Sequence, residues 1–370
     1  MANLPLKILL LTKYNQRGAS SRLRTLQYIP YLKSQGVSVT VSNFFDDIYL
    51  KEFHLNSKRS ISRVLISYIK RFFIFLTFFK YDLIWIEKEI FPYFPAFFER
   101  FLNFVGKTYV VDYDDAIFHN YNFSKNYVLK SLLSKKIFSV MKHADCVIAG
   151  NKYIADYAKR AGASRIELIP TVVDNSRYSS KKNLLKKSLT IGWIGSRSTQ
   201  KYLLSIQEVL ISVCKLYDAR LLLVGATSEI AIKFSDLNVD IVPWSEEEEG
   251  RLISLMDIGI MPLSNGPWEK GKCGYKLIQY MASGVPTIAS SVGANIDIIR
   301  NSNCGFLVDT NDEWKIALLK LLNNQEQCIR FGNAGRLAVE KIYSLRVQAP
   351  KIKKIFLEAI NSKKLNNNNL

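Results

Sequence analysis

Short Val-, Ile-, Leu- and Tyr-rich runs alternate with longer stretches of helical periodicity along this chain, and the alternation occurs in two series. Repeated βαβ units with a parallel sheet read this way. The first series has expected strands at Lys7–Thr12, Val37–Ser42, Leu83–Ile86, Thr108–Val111, Cys146–Ala149 and Ile166–Ile169. The second begins at Leu189–Gly195 and continues through Arg220–Val224, Val239–Val242, Ile258–Met261 and Pro286–Ala289. Between them, Asn175–Ser188 is polar, rich in Lys and Ser, and lacks an apolar stripe, so it reads as a linker.

A chain of 370 residues exceeds the usual size of one hydrophobic core. The expectation is therefore an α/β protein of two doubly wound domains, residues 1–174 and 189–345, joined by a linker at 175–188. Residues 346–370 should form a C-terminal helix able to pack back on the first domain, ending in a disordered Asn-rich tail. Open α/β sheets bind ligands outside the carboxyl ends of their strands, which puts the expected site in the interdomain cleft.

The five cysteines are scattered and show no CxxC spacing. This argues against a disulfide framework or zinc ribbon and for a reducing compartment. The apolar stretch Leu6–Leu11 is too short for a signal peptide, so a cytoplasmic location is expected.

The net charge of +19 is unevenly placed: residues 1–188 hold 30 Lys and Arg against 14 Asp and Glu, while residues 189–370 hold 21 against 18. A basic first half suits nucleic acid or an anionic membrane surface. No helix-turn-helix, RNP-like or zinc-finger signature accompanies it, which weighs against nucleic acid. Within Ile61–Phe79, Phe, Ile and Leu are interleaved with Arg63, Lys70 and Arg71, and the unbroken apolar run Phe72–Leu76 is far below the ~18 residues of a spanning helix. This segment reads either as an interfacial anchor, with Arg59, Arg63, Lys70 and Arg71 meeting lipid, or as a core helix covering the sheet.

The polar constellations lie mainly in the second half. Ile191–Lys201 is a strand entering a Gly/Ser turn at a helix start, where exposed amides suit a diphosphate and Arg197 and Lys201 add charge. After the expected strand ending near Pro262, a Gly-rich loop with Lys270, Lys272 and Lys276 leads into a helix bearing Gln279. Its amides can hold phosphate and sugar oxygens, and Gln279 can meet ribose hydroxyls. Ser290–Asn295 is another Gly-bearing turn after a strand. Ser245 and Glu246–Glu249 read as a helix start stabilised by carboxylates and are assigned no chemistry. In the first half, Tyr109–His119 ends a strand with Asp112, Asp114 and Asp115, and Arg22 and Arg24 follow a Gly/Ser loop that suits an anionic acceptor.

Lys272–Ser290, Asn151–Ala155, Ile169–Asp174 and Ser20–Arg24 together resemble glycosyltransferase family 4, with Met281–Pro286 the most diagnostic part. The resemblance implies the GT-B fold of two Rossmann-like domains and a retaining, metal-independent transfer from a nucleotide diphosphate sugar, with no cofactor. It implies donor contacts from Gly195, Ser196, Arg197, Lys201, Lys272, Cys273, Gly274, Tyr275, Lys276 and Gln279, and acceptor contacts from Arg22 and Arg24. The acceptor would be a lipid-linked or other saccharide of surface polysaccharide or O-antigen synthesis, met by an enzyme peripherally bound at the inner face of the cell membrane. This sequence departs from the family's E-x7-E pattern, with Gly271 and Gln279 at the two Glu positions, and from its His-Asp pair, where Asp114 and Asp115 stand. Glu269 is the candidate replacement for the first Glu, and Asp114, Asp115, Lys201 and Glu269 are the candidate catalytic residues.

Two other readings remain open at this level. Asp112-Tyr113-Asp114 also matches the DxD of metal-dependent GT-A transferases. The missing glutamates and His also fit a non-catalytic nucleotide-sugar-binding subunit.

Overall fold

The computed structural model describes residues 5–56, 60–179 and 189–368. The chain divides into two compact units: one runs to Thr171 and takes in the chain from Gln348 onward, the other spans Val172–Val347.

In the first unit, β1 (Leu6–Thr12), β2 (Val37–Asn43), β3 (Leu83–Glu87), β4 (Tyr109–Tyr113), β5 (Cys146–Ala149) and β6 (Ile166–Leu168) form one sheet in the order β2-β1-β3-β4-β5-β6. Every neighbouring pair is parallel. Strands β3, β4 and β5 are buried along their whole length, which is why their sequences are nearly continuous in apolar residues. The exceptions are Glu87 and Asp112, register partners at the carboxyl ends of β3 and β4. Strand order reverses between β1 and β3, and the chain leaving these strands opens a crevice there.

In the second unit, β7 (Thr190–Ile194), β8 (Arg220–Val224), β9 (Val239–Val242), β10 (Ile258–Met261), β11 (Thr287–Ser290) and β12 (Gly305–Val308) form a second parallel sheet, ordered β12-β11-β10-β7-β8-β9. Its switch point lies between β7 and β10. The turn after β7 and the Gly-rich loop after β10 therefore leave the sheet side by side.

Several expectations are corrected. Strand β12 went unrecognised because Asn303-Cys304-Gly305 reads as a turn, yet Gly305 is required: a side chain there would strike the backbone carbonyl of Thr287 on β11. The expected linker is partly integrated into the second unit, where Tyr178 is buried and Arg177 pairs with Glu246 at 2.6 Å. The rest of that linker, residues 180–188, lies outside the described residues. The last helix is Leu345–Asn368, and the part from Gln348 belongs to the first unit. There Phe356 packs on Trp85 at 4.9 Å, and Glu358 and Lys363 pair with Arg165 and Asp145.

The Ile61–Phe79 segment is a helix over Ile61–Phe75 followed by a 3-10 turn at Phe78–Lys80. Arg71, which meets lipid only under the anchor reading, is buried. Its guanidinium donates to the carbonyls of Thr12 at 2.6 Å, Ser42 at 3.0 Å and Ile90 at 3.3 Å, capping the carboxyl ends of β1 and β2. Burial lowers its pKa to about 9, with Glu87 acting in the opposite direction. Arg63 is bonded to Glu52 at 2.9 Å, and Arg59 lies outside the described residues.

Candidate active site

The turn Gly195–Thr199 is held in a shape only glycine allows at its start. A side chain on Gly195 would collide with the Trp193 ring and stand 2.8 Å from Nζ of Lys276. Gly225, at φ +77°, lies against the Gly195 carbonyl in the same way. The Ser196 amide donates to Oγ1 of Thr199 at 3.0 Å, and the Ser196 and Ser198 hydroxyls are bonded at 3.0 Å.

Lys276 reaches this turn from the helix Tyr275–Ala282. Its ammonium lies 3.4 Å from Oγ1 of Thr199 and 4.3 Å from the Trp193 ring centroid. Burial, reinforced by the charge of Lys272, lowers its pKa to about 7. Both of these partners are neutral, a hydroxyl and an aromatic face, so the lysine's charge is poised for an anion at the turn.

The helix carrying Lys276 is fixed from three sides. Gly274 enters it at φ 65° with no room for a side chain against Ile298. Inside it, the Tyr280 hydroxyl accepts from the Ile194 amide and donates to the Ile260 carbonyl, both at 3.1 Å, clamping the helix to β7 and β10. Gly293, at φ 55°, starts the following helix with its Cα so near Lys270 that a Cβ would be 2.6 Å from that residue's carbonyl oxygen. Cys273 is buried, and Lys272 and Tyr275 are half-buried.

Other expected donor residues are placed less directly. Lys201 is exposed with its ammonium 5.2 Å from the Tyr202 ring centroid, and the Tyr202 hydroxyl donates to the buried Glu269. Lys201 and Glu269 thus share one tyrosine that sequence reasoning missed. Arg197 is exposed and pairs with Glu229 at 3.3 Å. Gln279 is buried, with Nε2 3.5 Å from the Tyr178 hydroxyl. That hydroxyl donates to Glu249, whose other oxygen accepts from Trp244 Nε1 at 2.7 Å. Glu249, expected only to stabilise a helix start, is a buried member of this network.

At the switch point of the first unit, Glu87 accepts from the Lys13 amide and from the hydroxyls of Ser20 and Ser21. The next residue, Lys88, adopts φ 70°, an uncommon conformation for a residue with a side chain, and pairs with Asp114 at 2.9 Å. Burial by itself would depress the Lys88 pKa, but Asp114, Asp115 and Glu87 outweigh it and raise it. Burial works in the opposite sense on Asp114, and Lys88 holds that carboxyl below its usual range. Asp115 is half-buried beside them. The charged triplet Glu87-Lys88-Glu89 directly after an apolar strand was the signal for these residues.

Arg24 is not an exposed acceptor contact. It is 1% exposed, with Nε 2.5 Å from Asp112 and a terminal nitrogen 2.7 Å from the Ile169 carbonyl. Burial raises the Asp112 pKa to about 6 despite Arg24. Arg22 is also buried, donating to the Gln16 carbonyl at 3.0 Å. Both carboxylates of the DxD pattern face cations of the chain: Asp112 faces the buried Arg24, and the partly exposed Asp114 faces Lys88. His119 bonds the Tyr153 hydroxyl at 2.9 Å and stacks on Phe123.

Residues 187–324, which contain the Gly195 turn, Lys201 and Lys276, match the family of group 1 glycosyl transferases. The capsular polysaccharide biosynthesis glycosyltransferase CapM of Staphylococcus aureus is 27% identical over 187 residues, 47% of this chain and 48% of that protein. The chain therefore spans about half the length of this curated relative. Sucrose-phosphate synthase from Thermosynechococcus elongatus superposes with a TM-score of 0.73 at 16% identity, over 96% of this chain and 100% of that one. Anabaena HepE in complex with UDP-glucose gives 0.70 at 15% identity, over 95% and 100%. These likenesses establish the fold class as GT-B.

Proposed function

We propose that this chain is a retaining, metal-independent glycosyltransferase of family 4, from a subgroup in which Gly271 and Gln279 replace the usual glutamates. It moves a sugar from a nucleotide diphosphate sugar to a lipid-linked saccharide at the inner face of the cell membrane, in surface polysaccharide or O-antigen synthesis. The observation that carries this reading is the convergence of Lys276 on the Gly195–Thr199 turn, a cation and a set of serine and threonine hydroxyls brought to one switch point. The group 1 match over the same residues and the UDP-glucose complex of HepE support it.

In this reaction the bond between the sugar's anomeric carbon and the β-phosphate oxygen breaks, and the nucleoside diphosphate leaves with growing negative charge. Lys276, Lys201 and the turn hydroxyls stabilise that charge, which is where preorganised donors act most strongly. The acceptor hydroxyl bonds to the anomeric carbon on the same face, and its proton passes to the departing phosphate. Asp114 and Asp115 orient hydroxyls and stabilise the cationic sugar.

A thermal-shift screen of UDP-, GDP-, ADP- and dTDP-sugars tests donor binding, because a ligand of the native state raises the melting temperature. One donor class should stabilise the protein and support transfer or slow donor hydrolysis in EDTA. Binding without either reaction across a panel of acceptors would favour a non-catalytic subunit, and activity lost in EDTA would refute metal independence.

A further inference from the structure

The first unit leaves one apolar face unpartnered. On the helix Ile61–Phe75, Ser67, Arg71 and Phe75 are buried against the sheet, whereas Leu65, Ile69, Phe72, Phe73 and the adjoining Leu76 are exposed. At about 100° of rotation per residue, these five occupy an arc of roughly 100° on the far side of the helix. A second helix, Phe97–Phe104, extends the face: Phe97, Phe101 and Phe104 recur on one side of it, and Phe104 is 87% exposed. The two helices are joined by aromatic contacts, Phe75 with Phe98 at 5.0 Å and with Phe101 at 6.3 Å, and the exposed Phe72 reaches Phe98 at 6.3 Å.

The exposed charges on these two helices and the adjoining 3-10 turn have one sign. Ile61–Lys80 contains no Asp or Glu, and Lys70 and Lys80 are exposed. On the second helix the single acid, Glu99, is buried and accepts from the Ile90 amide, while Arg100 is exposed. Among the neighbouring acids, Asp82 accepts from the Lys7 amide, and Asp46 and Glu52 lie beside Arg63. Among the described residues no helix is long and apolar enough to cross a membrane. The 15 residues of Ile61–Phe75 span about 22 Å, short of the ~30 Å hydrocarbon core.

We propose that this two-helix aromatic face docks the first unit on an anionic bilayer, its rings seated at the headgroup level and Lys70, Lys80 and Arg100 among the lipid phosphates. An apolar arc whose own segments expose Lys70, Lys80 and Arg100 and no acid is complementary to such a surface. Arg71, bonded to carbonyls at the ends of β1 and β2, holds the first of these helices on the same sheet edge that carries Glu87, Lys88, Asp112 and Asp114. The inference deepens the proposed use of a membrane-held acceptor and rests on that reading only for the acceptor's location.

Flotation of the full chain with vesicles tests it. The protein should float with mixed phosphatidylglycerol–phosphatidylcholine vesicles and much less with phosphatidylcholine alone. The double variant F73S/F104S should partition at least about tenfold more weakly, with melting temperature and donor-induced stabilisation unchanged. The variant K70E/K80E should lose the preference for phosphatidylglycerol. Wild-type protein left unbound by the mixed vesicles, or F73S/F104S floating as wild type does, would overturn the proposal. A dimer seen by light scattering that F73S/F104S abolishes, without flotation, would overturn it too and assign the face to a second copy. Flotation without any nucleotide-sugar binding would instead sink the transferase reading and leave the docking surface standing.

Discussion

The two sheets present chemically opposite carboxyl edges. In the first unit, buried cations meet carboxylates of the same chain, Arg24 with Asp112 and Lys88 with Asp114. In the second, Lys276 meets the Thr199 hydroxyl and the Trp193 ring, and burial with a neighbouring lysine lowers its pKa to about 7. An edge whose cation faces neutral groups is prepared for an anion that arrives from outside. Lysines and arginines that look alike in sequence thus do different work according to what is buried beside them.

The largest effect that can break this comparison is on stability. Arg24→Met should cost about 3–5 kcal/mol in urea unfolding at neutral pH, because it leaves Asp112 buried and uncompensated. Adding Asp112→Asn should recover much of that loss. A cost below about 1 kcal/mol, typical of a surface pair, would show that the first edge is not built on a buried ion pair. Next in size is the second edge: Lys276→Ala and Lys201→Ala should each lower turnover by roughly 10²-fold or more while leaving the melting temperature near wild type. Near-normal turnover in either purified variant would remove that residue from the phosphate site.

The smallest effect sharpens the contrast through pH. A bound diphosphate raises the pKa of Lys276, so binding takes up a proton and should weaken as pH climbs above about 7. Calorimetry across that range should give a several-fold loss of nucleoside diphosphate affinity in the wild type and a flatter profile in Lys276→Met. The ligand-free protein should behave in the opposite sense. Between about pH 7 and 10.5 the unfolded lysine binds more protons than the folded one, so this group makes stability rise with pH through that window. Equal profiles for wild type and Lys276→Met would show that Lys276 does not titrate there.

Eleven strands were legible as short apolar runs, and six of them, β3, β4, β5, β7, β10 and β11, are buried along their whole length, which writes burial directly into composition. The twelfth was not, since Gly305 begins it and the reason for that glycine is the Thr287 backbone on a different strand. The Gly195 turn and Lys276 were legible as a Gly/Ser turn and a lysine-bearing loop. Their contact was not, because 77 residues of sequence separate Thr199 from Lys276 and only the order β10-β7 makes them neighbours. Tyr202 and Tyr178 escaped notice because a tyrosine linking two distant polar groups has no local pattern, and Glu249 was read only as part of a helix start.

By itself the sequence determined the α/β class, the two series of strands and the turns where chain leaves them, because period, apolar runs and glycine placement are local properties. It also determined that basic charge gathers in the first half. Tertiary structure alone decided which of those charges are buried pairs and which face outward: Arg24 and Arg71 vanished into the first unit, while Lys70 and Lys80 remained at its surface. A charge's role depends on its desolvation and its partners, and both are set by chain segments far away in sequence.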